Sequence, residues 1–139
     1  MNLEQFNYLN NNLHIEDVDL VDLASNIETP FYVYSSKTIK DNCKSYLKNL
    51  STNDLVCYAV KANSNLSILS LIKDEGLGFD VVSGGELKRV LQIGANPRKI
   101  VFSGVGKNKS ELLLACEADI FSINVCLLYT SPSPRDLVI

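Results

Sequence analysis

From Thr29 to Asn124, short runs rich in β-branched and aromatic residues alternate with segments whose apolar positions recur at helical spacing. The run "PFYVYS" (residues 30–35) has the composition of a strand. It leads into "SKTIKDNCKSYLKNL", where Ile39, Cys43, Tyr46, Leu47 and Leu50 share one face and lysines the other, the pattern of an amphipathic helix. "DLVCYAVKA" reads as the next strand and "SNLSILSLIKDEG" as a helix stopped by Gly76. "GFDVVS" is a further strand. Ser83 and Glu86 then make the S-x-x-E capping box of the helix "GGELKRVLQIG". "KIVFSG" is another strand, followed by the helix "KSELLLACEA", which Asn108 and Glu111 are placed to cap in the same way. "DIFSINV" closes the series as a strand.

Strand and helix repeating every few tens of residues predict βαβ units and a parallel sheet, in an α/β fold. Both a doubly wound sheet and a β/α barrel satisfy this pattern. A dinucleotide site is poorly supported: "GVGKNK" has G-x-G without a third glycine, and it lacks the spacing of a phosphate-binding Walker loop. In either architecture the functional groups gather at the C-terminal ends of the strands. Those ends are Lys61, Asp80 with Ser83, and Ser103 with Gly104.

Lys61 raises the sharpest question. On strand alternation, Leu55, Cys57, Ala59 and Lys61 share one face, and Val56, Tyr58, Val60 and Ala62 share the bulkier one that packs under helices. Small residues beneath a long amine leave room for a ligand. On pattern alone, Lys61 is either a solvated cap on an exposed strand end or an amine at a partly desolvated rim, able to form a Schiff base. Asp80 interrupts an apolar strand, as an edge residue or as a charge held by a partner. Glu86 reads as a capping residue, and His14 carries no assigned role.

Composition narrows the classes. The 139 residues are 46% hydrophobic, enough for the core of one ordinary domain, and carry a net charge of −3 with scattered basic residues. A nucleic-acid footprint is therefore not expected. No apolar run approaches the roughly 20 residues that cross a bilayer, and no basic segment precedes an apolar one at the N-terminus. Four cysteines without C-x-x-C spacing and a single histidine assemble no metal site. A reducing, cytoplasmic location fits these cysteines.

"TPFYVYS", "YAVKANSN", "GFDVVSGGEL" and "IVFSGVGK", in this order, resemble the N-terminal part of diaminopimelate decarboxylases, over about Val18 to Val125. These are pyridoxal-phosphate (PLP) enzymes on an alanine-racemase-like β/α barrel. "AVKAN" alone would also suit ornithine decarboxylases and, more loosely, racemases. The resemblance implies the first four or so units of a (β/α)8 barrel. It implies conversion of meso-2,6-diaminopimelate to L-lysine and CO₂, the last step of lysine biosynthesis, with a small amino acid as substrate and a homodimer as the assembly. Lys61 matches the lysine that holds PLP as a Schiff base. Asp80 matches the aspartate beside that lysine, and Ser83 and Ser103 match strand-end positions near the cofactor. By the same resemblance, residues 1–35 are a segment and strand that join a β-sandwich domain, and 36–125 are the N-terminal half of the barrel. Residues 126–139, "CLLYTSPSPRDLVI", match nothing in the family and are expected to be a foreign, disordered tail, leaving a truncated chain inactive by itself. The other functional readings are another decarboxylase or racemase of this barrel family, or a non-catalytic fragment.

Overall fold

The computed structural model describes residues 5–51 and 53–125; the expectation for 126–139 lies outside them. The chain opens with an antiparallel meander of β1 (Phe6–Leu9), β2 (Asn12–Ile15) and β3 (Val18–Asp19), then α1 (Leu20–Asn26) and α2 (Ser36–Leu47). The β/α region follows: β4 (Cys57–Ala59), a 3-10 turn (Val60–Ala62), α3 (Leu66–Asp74), β5 (Gly78–Val81) and α4 (Gly84–Gln92). It continues through a 3-10 turn (Pro97–Lys99), β6 (Ile100–Phe102), α5 (Lys109–Glu117) and β7 (Ser122–Ile123).

Strand order decides between the two architectures left open by the pattern. The sheet runs β4-β5-β6-β7, each parallel to the next and each adjacent in sequence. A doubly wound sheet reverses direction at a switch point, whereas a barrel adds strands in chain order. The sheet is an arc of a β/α barrel.

Register sorts the side chains onto two faces. Tyr58, Phe79 and Ile100 are opposite one another, as are Val81, Phe102 and Ile123. This face is the core: Phe79, Val81, Ile100 and Phe102 are buried with Leu69, Leu87, Val90 and Ala115 of the helices. The other face carries Cys57 opposite Gly78, then the row Ala59, Asp80, Val101 and Ser122. Its residues are smaller and more polar, and its strand residues other than Gly78 are only partly buried, as suits the inside of a barrel wall.

The helix ends follow the sequence closely. Asn65 accepts the Ser67 N–H at 2.9 Å to start α3, and Gly76 stands at φ +92° just beyond its end. Asn108 and Glu111 form the full reciprocal box of α5. At α4, Ser83 Oγ accepts the Glu86 N–H at 3.2 Å, but Glu86 accepts from Val82 rather than from Ser83, at 2.8 Å. The box expected there is therefore shifted by one residue.

Three elements differ from the sequence reading. "PFYVYS" pairs with no strand among the described residues, and Tyr32 and Tyr34 are exposed. Strand composition alone cannot supply the neighbour that a ladder requires. "DLVCYAVKA" leaves the ladder after Ala59 and coils into the 3-10 turn, which seats Val60 at 0% exposure in the core. Lys61 therefore stands on a turn, not on the strand face shared by Cys57 and Ala59. "DIFSINV" contributes only Ser122–Ile123 to the sheet.

The N-terminal meander adds structure where a plain segment with one strand was expected. Asn10 and Asn11, at φ 51° and 68°, form the two-residue turn between β1 and β2. Glu16 then fastens this unit to α2. Its Oε1 accepts from Ser35 Oγ at 2.7 Å and from the Lys37 N–H at 2.9 Å. These bonds hold its carboxyl below the usual range, the Lys37 N–H being the larger cause and the Ser35 hydroxyl next.

Among the described residues, β4 and β7 each keep an open ladder edge. Beside β4 lies an apolar cleft of about 540 Å³ between α2 and α3, lined by Ile39, Cys43, Tyr46, Tyr58, Ile68 and Ile72. Open edges next to apolar surface invite strand addition. These 139 residues expressed alone are expected to self-associate, measured by sedimentation; a monodisperse monomer that unfolds cooperatively in calorimetry would refute this. No helix among the described residues is long and apolar enough to cross a membrane.

Candidate active site

The C-terminal rim of the arc is built by three neighbouring connections. The first is the turn after β4. It exposes Lys61 just past the small inner-face residues Cys57 and Ala59. No ion pair joins Lys61 to Asp80 among the described residues.

The second position is Asp80 of β5, opposite Ala59 and therefore one strand over from the lysine turn. Its Oδ1 is buried and has no hydrogen-bond partner. A buried carboxylate oxygen left unsatisfied is costly, and such atoms are rare in folded proteins. Cys57 registers the same charge. Burial pushes its thiol above the ordinary range, and the nearby Asp80 carboxylate adds to the rise.

Ser83 follows β5 as the N-cap of α4, its Oγ accepting the Glu86 N–H. Ser103 follows β6. Its N–H donates to Val81 O at 2.8 Å, tying it to the end of β5, and its Oγ accepts from Asn124 Nδ2 at 3.1 Å. Ser103 and Asp80 are thus held on adjacent strand ends, and Ser83 is placed by its helix.

Three residues that sequence reasoning did not assign to the site support this rim. Asn124 follows β7 and holds Ser103. Lys107 lies in the loop between β6 and α5 and is 9% exposed. Its Nζ donates to Gly104 O and sits 5.6 Å from the Phe102 ring centroid, so its charge is spent inside the loop. Glu111 joins two helix starts, with Oε2 accepting from Asn108 N and Oε1 from Gly84 N. Only the first of these bonds has a sequence signal, the N-x-x-E spacing.

Taken together, the rim offers an exposed primary amine, a buried carboxylate oxygen with no partner, two serine hydroxyls and a floor of small side chains. An orphaned carboxylate one strand from a free amine suits a ligand that reacts with the amine and carries a polar group down to the acid. A carbonyl compound such as a pyridoxal aldehyde meets that description.

The family model for the pyridoxal-binding domain of pyridoxal-dependent decarboxylases matches residues 36–127. Diaminopimelate decarboxylase of Vibrio cholerae is 46% identical over 125 residues, covering 88% of this chain and 30% of that protein. The crystal structure of the M. jannaschii diaminopimelate decarboxylase, in co-complex with L-lysine, superposes with a TM-score of 0.79 at 35% identity, again over 88% of this chain and 30% of its own. Ornithine decarboxylase from Entamoeba histolytica superposes with a TM-score of 0.65 at 28% identity, over 75% of this chain and 33% of its own. The chain spans about 30% of the length of the curated relatives it matches.

Proposed function

The chain belongs to the pyridoxal-dependent decarboxylase family, and on that premise we propose that it forms the cofactor-holding part of a diaminopimelate decarboxylase. The reaction is loss of CO₂ from meso-2,6-diaminopimelate to give L-lysine, with PLP as cofactor. The observation that carries the cofactor reading is the unpartnered Asp80 Oδ1 beside the lysine turn. The substrate reading is supported by higher identity to diaminopimelate enzymes than to the ornithine enzyme.

When bound, PLP supplies the electron sink for the pair left behind as CO₂ departs. The residues of this chain bind and orient. Lys61 Nζ, exposed and without an ion pair among the described residues, is the amine that would hold the cofactor. Asp80 presents its carboxyl group on the neighbouring strand and would orient what Lys61 holds. Ser83 and Ser103 present hydroxyls from the loops that follow β5 and β6. Cys57 and Ala59 put small side chains on the inner face of β4 that leads to Lys61.

The test is decarboxylation by the complete protein supplied with PLP. A substrate whose second amine and carboxylate are both recognised is discriminated from one lacking the carboxylate by about 10²-fold or more in kcat/KM. CO₂ and L-lysine should form from meso-diaminopimelate with at least that preference over L-ornithine. Preferential turnover of L-ornithine, or racemisation without CO₂, would replace this reading with the corresponding relative's.

A further inference from the structure

We propose that Glu111 is a positioning residue that latches the loops carrying Ser83 and Ser103, and so sets the polar side of the PLP site. The inference rests on the decarboxylase reading.

An ordinary capping box closes within its own helix. Glu111 does this with Oε2, which accepts the Asn108 N–H at 3.0 Å, while Asn108 Oδ1 accepts the Glu111 N–H at 3.0 Å. Its second oxygen leaves the helix. Oε1 accepts the N–H of Gly84, 27 residues earlier, at 2.7 Å. Gly84 is the first residue of α4 and the neighbour of Ser83. One carboxylate therefore closes the starts of two helices.

The side-chain stem takes part as well. A Cβ on Gly84 would lie 2.9 Å from Glu111 Cγ, so the space that glycine leaves is filled by the glutamate. On the other side, the loop from Ser103 to Asn108 is stiffened by Lys107, whose Nζ donates to Gly104 O. The two N–H donors, with a smaller contribution from the Lys107 charge, hold the Glu111 carboxyl below its usual range.

The strands fix Asp80 and the start of each loop through ladder bonds, but no ladder reaches Ser83. What spans from the β6–α5 loop to the β5–α4 loop is the Glu111 bond to Gly84. A ligand held by groups on both loops needs their separation set beforehand, because ordering them on binding weakens affinity.

The test uses the complete protein, with Glu111→Ala, Glu111→Gln, Gly84→Ala and the Glu111→Ala/Gly84→Ala pair. PLP affinity of the folded apoprotein is read by absorbance titration, and the Gly84 amide by hydrogen exchange. Loss of a charge-assisted bond at this position should weaken PLP binding about tenfold in Glu111→Ala and speed Gly84 exchange to a similar degree. Glu111→Gln, whose single amide oxygen can accept from Gly84 or from Asn108 but not both, should recover only part of the affinity. Gly84→Ala should weaken PLP binding in the parent protein, yet add less than about threefold on top of Glu111→Ala, since the clash partner is gone. Unchanged PLP affinity in folded Glu111→Ala, with only a lower melting temperature, would reduce Glu111 to a structural cap and overturn the inference. Gly84 exchange unmoved by Glu111→Ala would overturn the latch itself. Parent protein that binds no PLP would overturn the decarboxylase reading and this inference with it, a result distinct from the other two.

Discussion

Lys61→Ala in the complete protein is expected to lose all covalent attachment of PLP and about 10³-fold or more of the decarboxylation rate. The geometry supplies the reason. Lys61 is an exposed amine on the turn that leaves β4 after Ala59, and Ala59 pairs with Asp80 of β5. The other lysines near this end of the arc are differently engaged. Lys88 is exposed on α4, and Lys107 is buried with its Nζ donating to the Gly104 carbonyl. Lys61→Arg should rescue nothing, because the guanidinium stays protonated and cannot condense with an aldehyde. Borohydride reduction of PLP-loaded protein followed by peptide mapping gives the answer. A pyridoxyl group on any lysine other than Lys61 would overturn the assignment.

The turn under Lys61 also marks where sequence reasoning stopped being reliable. Alternation in "LVCYAVKA" continues through Ala62, so period alone puts Lys61 on the strand face. The chain instead coils after Ala59, because Val60 finds its place in the core and no ladder partner extends the strand. Lys61 still follows the small residues Cys57 and Ala59 in the chain, but on a turn rather than on their strand face. Helix starts were more legible. Asn65, Ser83 and Asn108 each cap the helix that their sequence neighbours announced, since capping is local chemistry within three residues.

Long-range effects were less visible. The Asn10–Asn11 turn had a readable signal, two residues tolerant of positive φ between apolar alternations, but polar composition hid it. "PFYVYS" had strand composition and no partner among the described residues. The reach of Glu111 to Gly84 crosses 27 positions, and no local rule announces it. Barrel against doubly wound sheet was likewise undecidable from alternation, since both fold classes share it, and strand order settled the choice.

Asp80→Asn is expected to retain covalent PLP on Lys61 while turnover falls by about ten- to a hundredfold. An acid that orients a reacting group acts through its charge, and bond-making belongs to the amine. The same substitution should leave the apoprotein as stable as its parent or about 1 kcal/mol more so, because the buried Oδ1 now has no partner and its charge is removed. Cys57 provides an internal reporter. Its thiol is raised first by burial and second by Asp80, so the neutral amide should bring it part of the way down and leave the burial contribution in place. Alkylation of Cys57, followed against pH and located by peptide mapping to separate it from Cys43, Cys116 and Cys126, should therefore begin at lower pH in Asp80→Asn than in the parent. Parent-like turnover together with an unshifted Cys57 profile would show that Asp80 does not exert its charge on this rim, and its place in the site would have to be given up.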